Sequence, residues 1–207
     1  MPILDRPLVL VHGLWNTPQL FKRLEDRLNQ PQSFVLAPHL PHDCGRINIR
    51  KLAVELDSQI TRTLGPDVLI DLLGFSMGGL ISRVWLQEMG GYQRTRRFFS
   101  VGSPHYGTLT AQLVPANIFA GIAEMKVGSK LIKSLNNDLT NLQKLNCRSY
   151  FCKFDLMVFP GFRAVLPIGP SISLPVFTHK ALIKKSVAIE KITSDLFDSC
   201  SKSTMFD

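Results

Sequence analysis

The chain has no long hydrophobic run. Its first apolar segment, Leu8 to Val11, leads directly into His12 and Gly13 and is too short for a signal peptide or a membrane span. A segment of this kind is typical of a strand in the core of a domain. We therefore expect a cytoplasmic protein without a secretory leader or a transmembrane helix.

Cysteine is also scarce, and its spacing forms no motif. The pattern C-x-x-C, which is common in zinc and redox sites, does not occur. In a reducing compartment such cysteines are expected to be free thiols rather than a disulfide framework. They are Cys44, Cys147, Cys152 and Cys200.

Positive charge is in excess but is not concentrated anywhere. The formal net charge is +8, yet the lysines are scattered and no dense basic block or base-stacking motif accompanies them. We therefore expect no nucleic-acid partner. Two interpretations of the surplus stay open, a solvated basic face and a weak peripheral contact with an anionic lipid membrane. The sequence indicates no oligomeric state.

The overall composition is that of a globular protein. Hydrophobic residues make up 45% of the chain and charged residues 19%. A chain of 207 residues is long enough to bury a full core without disulfides or structural metals. We expect a single domain over residues 1–207, with a polar tail at 199–207.

Apolar runs of strand length alternate with amphipathic helical stripes, above all in the first half of the chain. This alternation predicts an α/β fold with a mostly parallel sheet of about six strands, right-handed crossovers and helices on both faces. Strands are predicted at 8–11, 34–37, 68–73, 97–101, 149–154 and 174–177, and helices at 18–28, 49–64, 77–90 and 186–197.

The alternation is interrupted between residues 108 and 146. This segment has helical stripes, such as Leu131, Leu135, Leu139 and Leu142, but no convincing strand. We interpret 108–146 as a helical, cap-like insertion beside the site. A plain pair of packing helices remains an alternative.

The stretch 68–79, V-L-I-D-L-L-G-F-S-M-G-G, has the pattern of a strand, a sharp turn and a helix around Ser76. A nucleophilic serine on such a turn has a strained backbone, and Gly74 and Gly78 are small enough to let the strand and helix approach. The N-terminus of the following helix would also point free N–H groups at a developing negative charge. The pattern therefore indicates acyl-transfer chemistry.

A serine nucleophile needs an imidazole base held by a carboxylate. The chain order expected for this type of turn is serine, acid, histidine, which leaves His105 and His179 as candidate bases. Only His179 has, before it, an acid at a predicted strand end, Asp155. We therefore predict the catalytic triad Ser76, Asp155 and His179; the rival acids, Asp138 and Asp195, fall in helical patterns.

Two backbone N–H groups are expected to form the oxyanion hole. We assign one to Met77, directly after the nucleophile, and the other to Leu14, in the loop that follows the first strand. His12 is interpreted as a brace of that loop. His39 and His42 lack further ligands at metal-binding spacing, so no metal site is predicted.

Taken together, these segments resemble the small lipase and esterase branch of the α/β-hydrolase superfamily. The resemblance rests on V-H-G-L-W at 11–15, L-L-G-F-S-M-G-G at 72–79, G-S-P-H-Y-G-T at 102–108, F-D at 154–155 and T-H at 178–179. It implies a minimal α/β-hydrolase fold and a serine hydrolase of carboxylic esters, lipid esters among them, with no cofactor. Phe75 is a departure, because relatives often have histidine there. The 108–146 segment matches no motif, so substrate scope does not carry over.

The function predicted from the sequence is hydrolysis of a small-molecule or lipid ester through an acyl-enzyme on Ser76. Trp15, Phe159 and Phe162 are candidate residues of an acyl pocket, although a phenylalanine-rich loop can equally be core. Acyl transfer or thioester hydrolysis by the same triad is an alternative. A non-catalytic binding module is another, and it is weakened by the presence of every triad residue.

Overall fold

A computed structural model describes residues 3–198 of the chain. Its centre is one sheet of six parallel strands in the order β2-β1-β3-β4-β5-β6. The strands are β1 (Leu8–Val11), β2 (Val35–Leu36), β3 (Ile70–Phe75), β4 (Thr95–Val101), β5 (Asn146–Phe151) and β6 (Ser171–Ser173). The predicted α/β fold is therefore confirmed. The predicted tail at 199–207, with Cys200, lies outside the described residues.

Seven α-helices cover the two faces of the sheet in the described part of the chain. Alternate residues of β1 point to opposite faces, so Val9 and Leu8 belong to two separate hydrophobic clusters. The helices are α1 (Lys22–Leu28), α2 (Ile49–Leu64), α3 (Met77–Glu88), α4 (Ala120–Glu124), α5 (Lys130–Asn137), α6 (Ala181–Lys184) and α7 (Ser186–Asp198).

Each face has its own set of helices. α2 and α3 pack with α5 on one face, and α1, α6 and α7 pack on the other. β1 and β3 are buried at every residue because both faces are covered. This explains why β1 reads as a continuous apolar run and why β3 is mostly apolar, with the buried Asp71 as its one charged residue. None of the helices in residues 3–198 is both long and apolar enough to cross a membrane.

The last two strands do not lie where the sequence predicts them. β5 ends at Phe151 rather than at 154, because its pairing with β4 ends at Val101 and its pairing with β6 ends at Ser173. β6 is the polar segment 171–173, and the predicted strand 174–177 follows it. Leu174 and Val176 are buried in the core without forming strand pairs, which explains the misleading apolar pattern.

The segment 108–146 contains α4 and α5 and is fixed to α3 by a buried arginine. The guanidinium of Arg83 donates hydrogen bonds to the carbonyl of Leu135 (2.6 Å) and to Oδ1 of Asn136 (2.9 Å). Both acceptors lie near the C-terminal end of α5, where the helix dipole favours a cation. Burial lowers the pKa of Arg83 to about 10, so the side chain stays charged at neutral pH.

Candidate active site

Ser76 lies on the sharp turn between β3 and α3. Its backbone has φ 56° and ψ −128°, a conformation that costs energy for a residue other than glycine. The two flanking glycines are required by space. A Cβ on Gly74 would come within 2.6 Å of the Cα of Gly79, and one on Gly78 within 2.1 Å of the carbonyl oxygen of Val11. The strand, turn and helix expected around Ser76 are therefore present.

The loop after β1 touches the serine. A Cβ on Gly13 would come within 2.7 Å of the Cβ of Ser76 and 3.2 Å of its Oγ. Leu14, the next residue, lines the cavity beside Ser76. Met77 is the first residue of α3, so its N–H lies at the positive end of the helix dipole and has no partner within the helix. The oxyanion role of these two amides stays a prediction.

Asp155 and His179 form a hydrogen-bonded pair. Nδ1 of His179 lies 2.7 Å from Oδ2 of Asp155. The second carboxylate oxygen, Oδ1, accepts hydrogen bonds from the backbone N–H groups of Met157 (2.8 Å) and Val158 (3.0 Å). Asp155 is buried, and these two donors fix the orientation of its carboxyl group, which faces the imidazole. A turn rather than the end of β5 supplies this residue.

The other ring nitrogen of His179, Nε2, is the atom that the predicted base role requires. Nε2 is buried and makes no hydrogen bond in the described structure, and both His179 and Ser76 line one cavity. In the tautomer that places a proton on Nδ1 facing Asp155, Nε2 carries the lone pair. Ser76, His179 and Asp155 therefore belong to one site, and their roles as nucleophile, base and orienting acid stay a prediction.

Phe75 and Gly102 also shape this histidine site, and sequence reasoning gave neither a role there. The ring of Phe75 packs against the imidazole of His179 with centroids 4.8 Å apart. Gly102, at φ +58°, leaves room for the ring, because a Cβ there would lie 3.1 Å from Cε1 of His179. The departure at Phe75 therefore places an apolar support beside the imidazole of His179.

The rival residues have other partners. His105 is fully buried, with Nε2 2.6 Å from Oγ of Ser100, and burial holds its pKa well below the usual range. Asp138 is exposed and caps a turn through the N–H of Thr140. Asp195 accepts a hydrogen bond from the hydroxyl of Tyr150 at 2.7 Å. None of these three lines the cavity.

His12 braces the loop that carries Leu14. Its Nδ1 lies 3.0 Å from the carbonyl oxygen of Gly13, and its Nε2 accepts a hydrogen bond from the N–H of Leu40 at 3.0 Å. Burial lowers the pKa of His12 to about 4. The rings of His39 and His42 lie nearby, 5.8 and 6.1 Å from it. Within residues 3–198 no group of three or more histidine, cysteine or acidic side chains has a metal-binding arrangement.

The cavity has a volume of about 740 Å³ and a mainly apolar wall. Trp15 belongs to this wall, whereas Phe159 and Phe162, the other two candidate pocket residues, are exposed and do not line it. Much of the wall comes from regions without a sequence motif, so only their apolar character could have indicated them. These additional residues include Val114, Phe119, Ile122 and Met125 of the 108–146 segment, and Leu156, Val158 and Phe177.

The chain matches the model of a known protein family over most of its length. A family model described as palmitoyl protein thioesterase matches residues 7–156, a range that includes Ser76 and Asp155 and ends before His179. A comparison with curated protein sequences gives no match.

Solved structures share the fold at low sequence identity. The mature form of the Bacillus licheniformis lipase BlEst2 superposes with a TM-score of 0.68 at 18% identity, covering 95% of this chain and 96% of the lipase. Aspergillus fumigatus lipase B gives a TM-score of 0.73 at 16% identity, covering 92% and 52%. The propeptide form of BlEst2 gives 0.67 at 18% identity, covering 93% and 50%. The chain thus spans about half of the two longer proteins.

Proposed function

The chain belongs to the palmitoyl protein thioesterase family, and on that premise we propose that it is a serine hydrolase that cleaves carboxylic esters with apolar acyl groups. One observation carries the proposal. Ser76, on its strained turn, and His179, which is hydrogen-bonded to Asp155, line the same apolar cavity. A nucleophile, a base and an orienting acid are the parts that acyl transfer requires.

In the proposed mechanism the first half of the reaction forms an acyl-enzyme. Oγ of Ser76 attacks the ester carbonyl carbon while its proton passes to Nε2 of His179, and Asp155 stabilises the resulting imidazolium. The amides of Leu14 and Met77 donate hydrogen bonds to the oxyanion. When the tetrahedral intermediate collapses, the C–O bond to the alcohol breaks and His179 returns the proton to the leaving oxygen.

The second half releases the acid. A water molecule gives a proton to Nε2 of His179 and attacks the acyl carbon, and Oγ of Ser76 leaves with that proton. The acyl group lies in the cavity in both halves, since the wall beside Ser76 is apolar.

Thioester hydrolysis is the second candidate, and the family match favours it. The same residues would act, with a thiol as leaving group. Because a thiolate leaves more readily than an alkoxide, a thioester depends less on proton donation by His179. Transfer of the acyl group to an acceptor other than water would use the same acyl-enzyme.

Matched substrates test the proposal. We would measure turnover of p-nitrophenyl esters and of coenzyme A thioesters with the same acyl groups, from short to long chains. Ser76→Ala is expected to lower turnover by about 10⁴-fold or more, whereas Ser194→Ala, at an exposed position of α7, leaves it unchanged. Equal rates for Ser76→Ala and the unaltered protein would overturn the proposal, and the ratio of ester to thioester turnover chooses between the two candidates.

A further inference from the structure

Large apolar side chains are exposed around the opening of the cavity. We use the name mouth surface for Trp15, Leu113, Phe154, Leu156 and Phe177, which are between 59% and 94% exposed. Single exposed apolar residues are normal in proteins, but a group around one opening indicates an interaction site.

These residues lie in the wall of the cavity or directly next to a residue that does. Trp15, Leu156 and Phe177 line the cavity themselves. Leu113 precedes Val114, which lines it, and the ring of Phe154 stacks on that of Phe177 with centroids 6.5 Å apart. The mouth surface is therefore continuous with the wall of the cavity, so whatever covers it lies directly against the route to Ser76.

The charges in the same segments have one sign. Residues 14–16, 106–119, 153–163 and 177–180 contain three cationic side chains, Lys153, Arg163 and Lys180. Their one carboxylate, Asp155, is buried and hydrogen-bonded to His179. In these segments an apolar centre is thus accompanied by cationic side chains and by no exposed acid. The exposed acid Asp43, next to the cavity-lining Cys44, lies 3.8 Å from Arg46, which offsets its charge.

We propose that the mouth surface docks onto an anionic lipid membrane and takes the acyl substrate from it. A bilayer offers an apolar phase for Leu113 and Phe154 and a negative surface for Lys153 and Lys180. A second copy of this chain fits less well, because docking mouth to mouth would bring two sets of cationic side chains together. Uptake of the acyl substrate from the membrane rests on the proposed function, because it requires that the cavity binds the substrate. Membrane binding itself does not require turnover.

Vesicle sedimentation tests the docking. The Ser76→Ala protein would be mixed with vesicles of phosphatidylcholine alone or of phosphatidylcholine with phosphatidylglycerol. We expect binding to the anionic vesicles that weakens as salt is raised. Lys153→Glu should lower the partition coefficient about fivefold or more, and the double change Leu113→Ser with Phe154→Ser about tenfold or more.

Matched controls lie on α2, no residue of which lines the cavity. Lys51→Glu changes the net charge as Lys153→Glu does, and Val54→Ser removes another exposed apolar side chain. Both should bind as the parent protein does. Equal weakening by Lys51→Glu would show that net charge alone drives binding, and would overturn the proposal.

Other outcomes would also overturn it. These are absence of binding by the folded protein, binding to polyglutamate as strong as to anionic vesicles, or self-association that depends on Leu113 and Phe154. Hydrolysis of a soluble short-chain ester, measured with Ser76 intact, is a separate readout. Lys153→Glu and the double variant Leu113→Ser with Phe154→Ser should retain this activity. Failure of docking and failure of the proposed hydrolase are therefore distinguishable.

Discussion

The imidazole of His179 is fixed by three neighbours, each of which acts on a different part of the ring. Asp155 holds Nδ1, Phe75 packs against the ring, and Gly102 leaves the space that Cε1 needs. Because Asp155 is itself held by two backbone N–H groups, the orientation of the ring does not depend on substrate. Preorganisation of this kind lowers the barrier to proton transfer.

The role of Asp155 can be tested by a change that preserves its shape. Asp155→Asn keeps the side chain nearly isosteric but favours the wrong imidazole tautomer, so kcat should fall about 10³- to 10⁴-fold with the fold intact. Asp138→Asn, at the exposed rival position, is the matched control and should leave kcat unchanged. Full activity of Asp155→Asn would assign the acid to another residue.

His12 should make stability depend on pH. Its pKa is about 4 in the folded chain because of burial, against 6.5 for the free side chain. The unfolded chain therefore takes up a proton at higher pH, so the contribution of His12 is complete above pH 6.5 and is lost as pH falls towards 4, by about 3 kcal/mol. Neighbouring His39 and His42 also disfavour the cation.

Urea unfolding between pH 4 and 7 measures this dependence. In His12→Gln an amide oxygen replaces Nε2 as the acceptor for the N–H of Leu40, and the side chain does not titrate. On acidification the unfolding free energy should fall by about 3 kcal/mol less in the variant than in the parent protein. The part of the fall that comes from buried His105 should remain. An unchanged pH dependence would show that His12 is not held neutral.

At the scale of elements, a hydrogen-bonded clip joins the turn after Asp155 to the start of the 108–146 segment. Oγ1 of Thr108 accepts a hydrogen bond from the N–H of Phe159 (2.9 Å) and lies 3.0 Å from the carbonyl oxygen of Met157. The N–H of Leu109 donates to the carbonyl of Phe159 at 3.1 Å. The turn that follows Asp155 is therefore tied by hydrogen bonds to a segment far from it in sequence.

Removing the hydroxyl of this clip should loosen Asp155. Thr108→Val is nearly isosteric but leaves the N–H of Phe159 without its acceptor, so we expect kcat to fall about tenfold or more and stability to fall by about 1–3 kcal/mol. Thr108→Ser retains the hydroxyl and should restore both. Since Thr108 also lines the cavity, a rise in KM with unchanged kcat would contradict a positioning role.

The elements that the sequence predicts well are those with a strong apolar pattern. β1 and β3 lie in the buried centre of the sheet, so their patterns are unambiguous. The edge strand β6 has the sequence Ser-Ile-Ser and is defined by pairing with β5 rather than by burial, so no local pattern could reveal it. The cap role of 108–146 stays a prediction. Residues of this segment line the cavity, and the helical stripes alone could not have indicated that.

At the scale of the whole molecule, the order of the sheet brings together loops that are distant in sequence. β1 and β3 are adjacent, with Val11 opposite Gly74, so the Gly13 loop meets the Ser76 turn. The expectation that these loops share the carboxyl edge of the sheet follows from parallel topology alone. The cavity wall could not be predicted this way, because much of it comes from the 108–146 segment, which lies outside the regular alternation of strands and helices.

The central claim is that Ser76 is the nucleophile of an acyl-enzyme, and covalent labelling tests it most directly. The folded protein would be treated with a fluorophosphonate, and the adduct located by mass spectrometry of the intact chain and its peptides. We predict a single adduct on Ser76 that forms much more slowly in His179→Ala and is absent in Ser76→Ala. No adduct on the folded protein, or an adduct on another residue, would contradict the account.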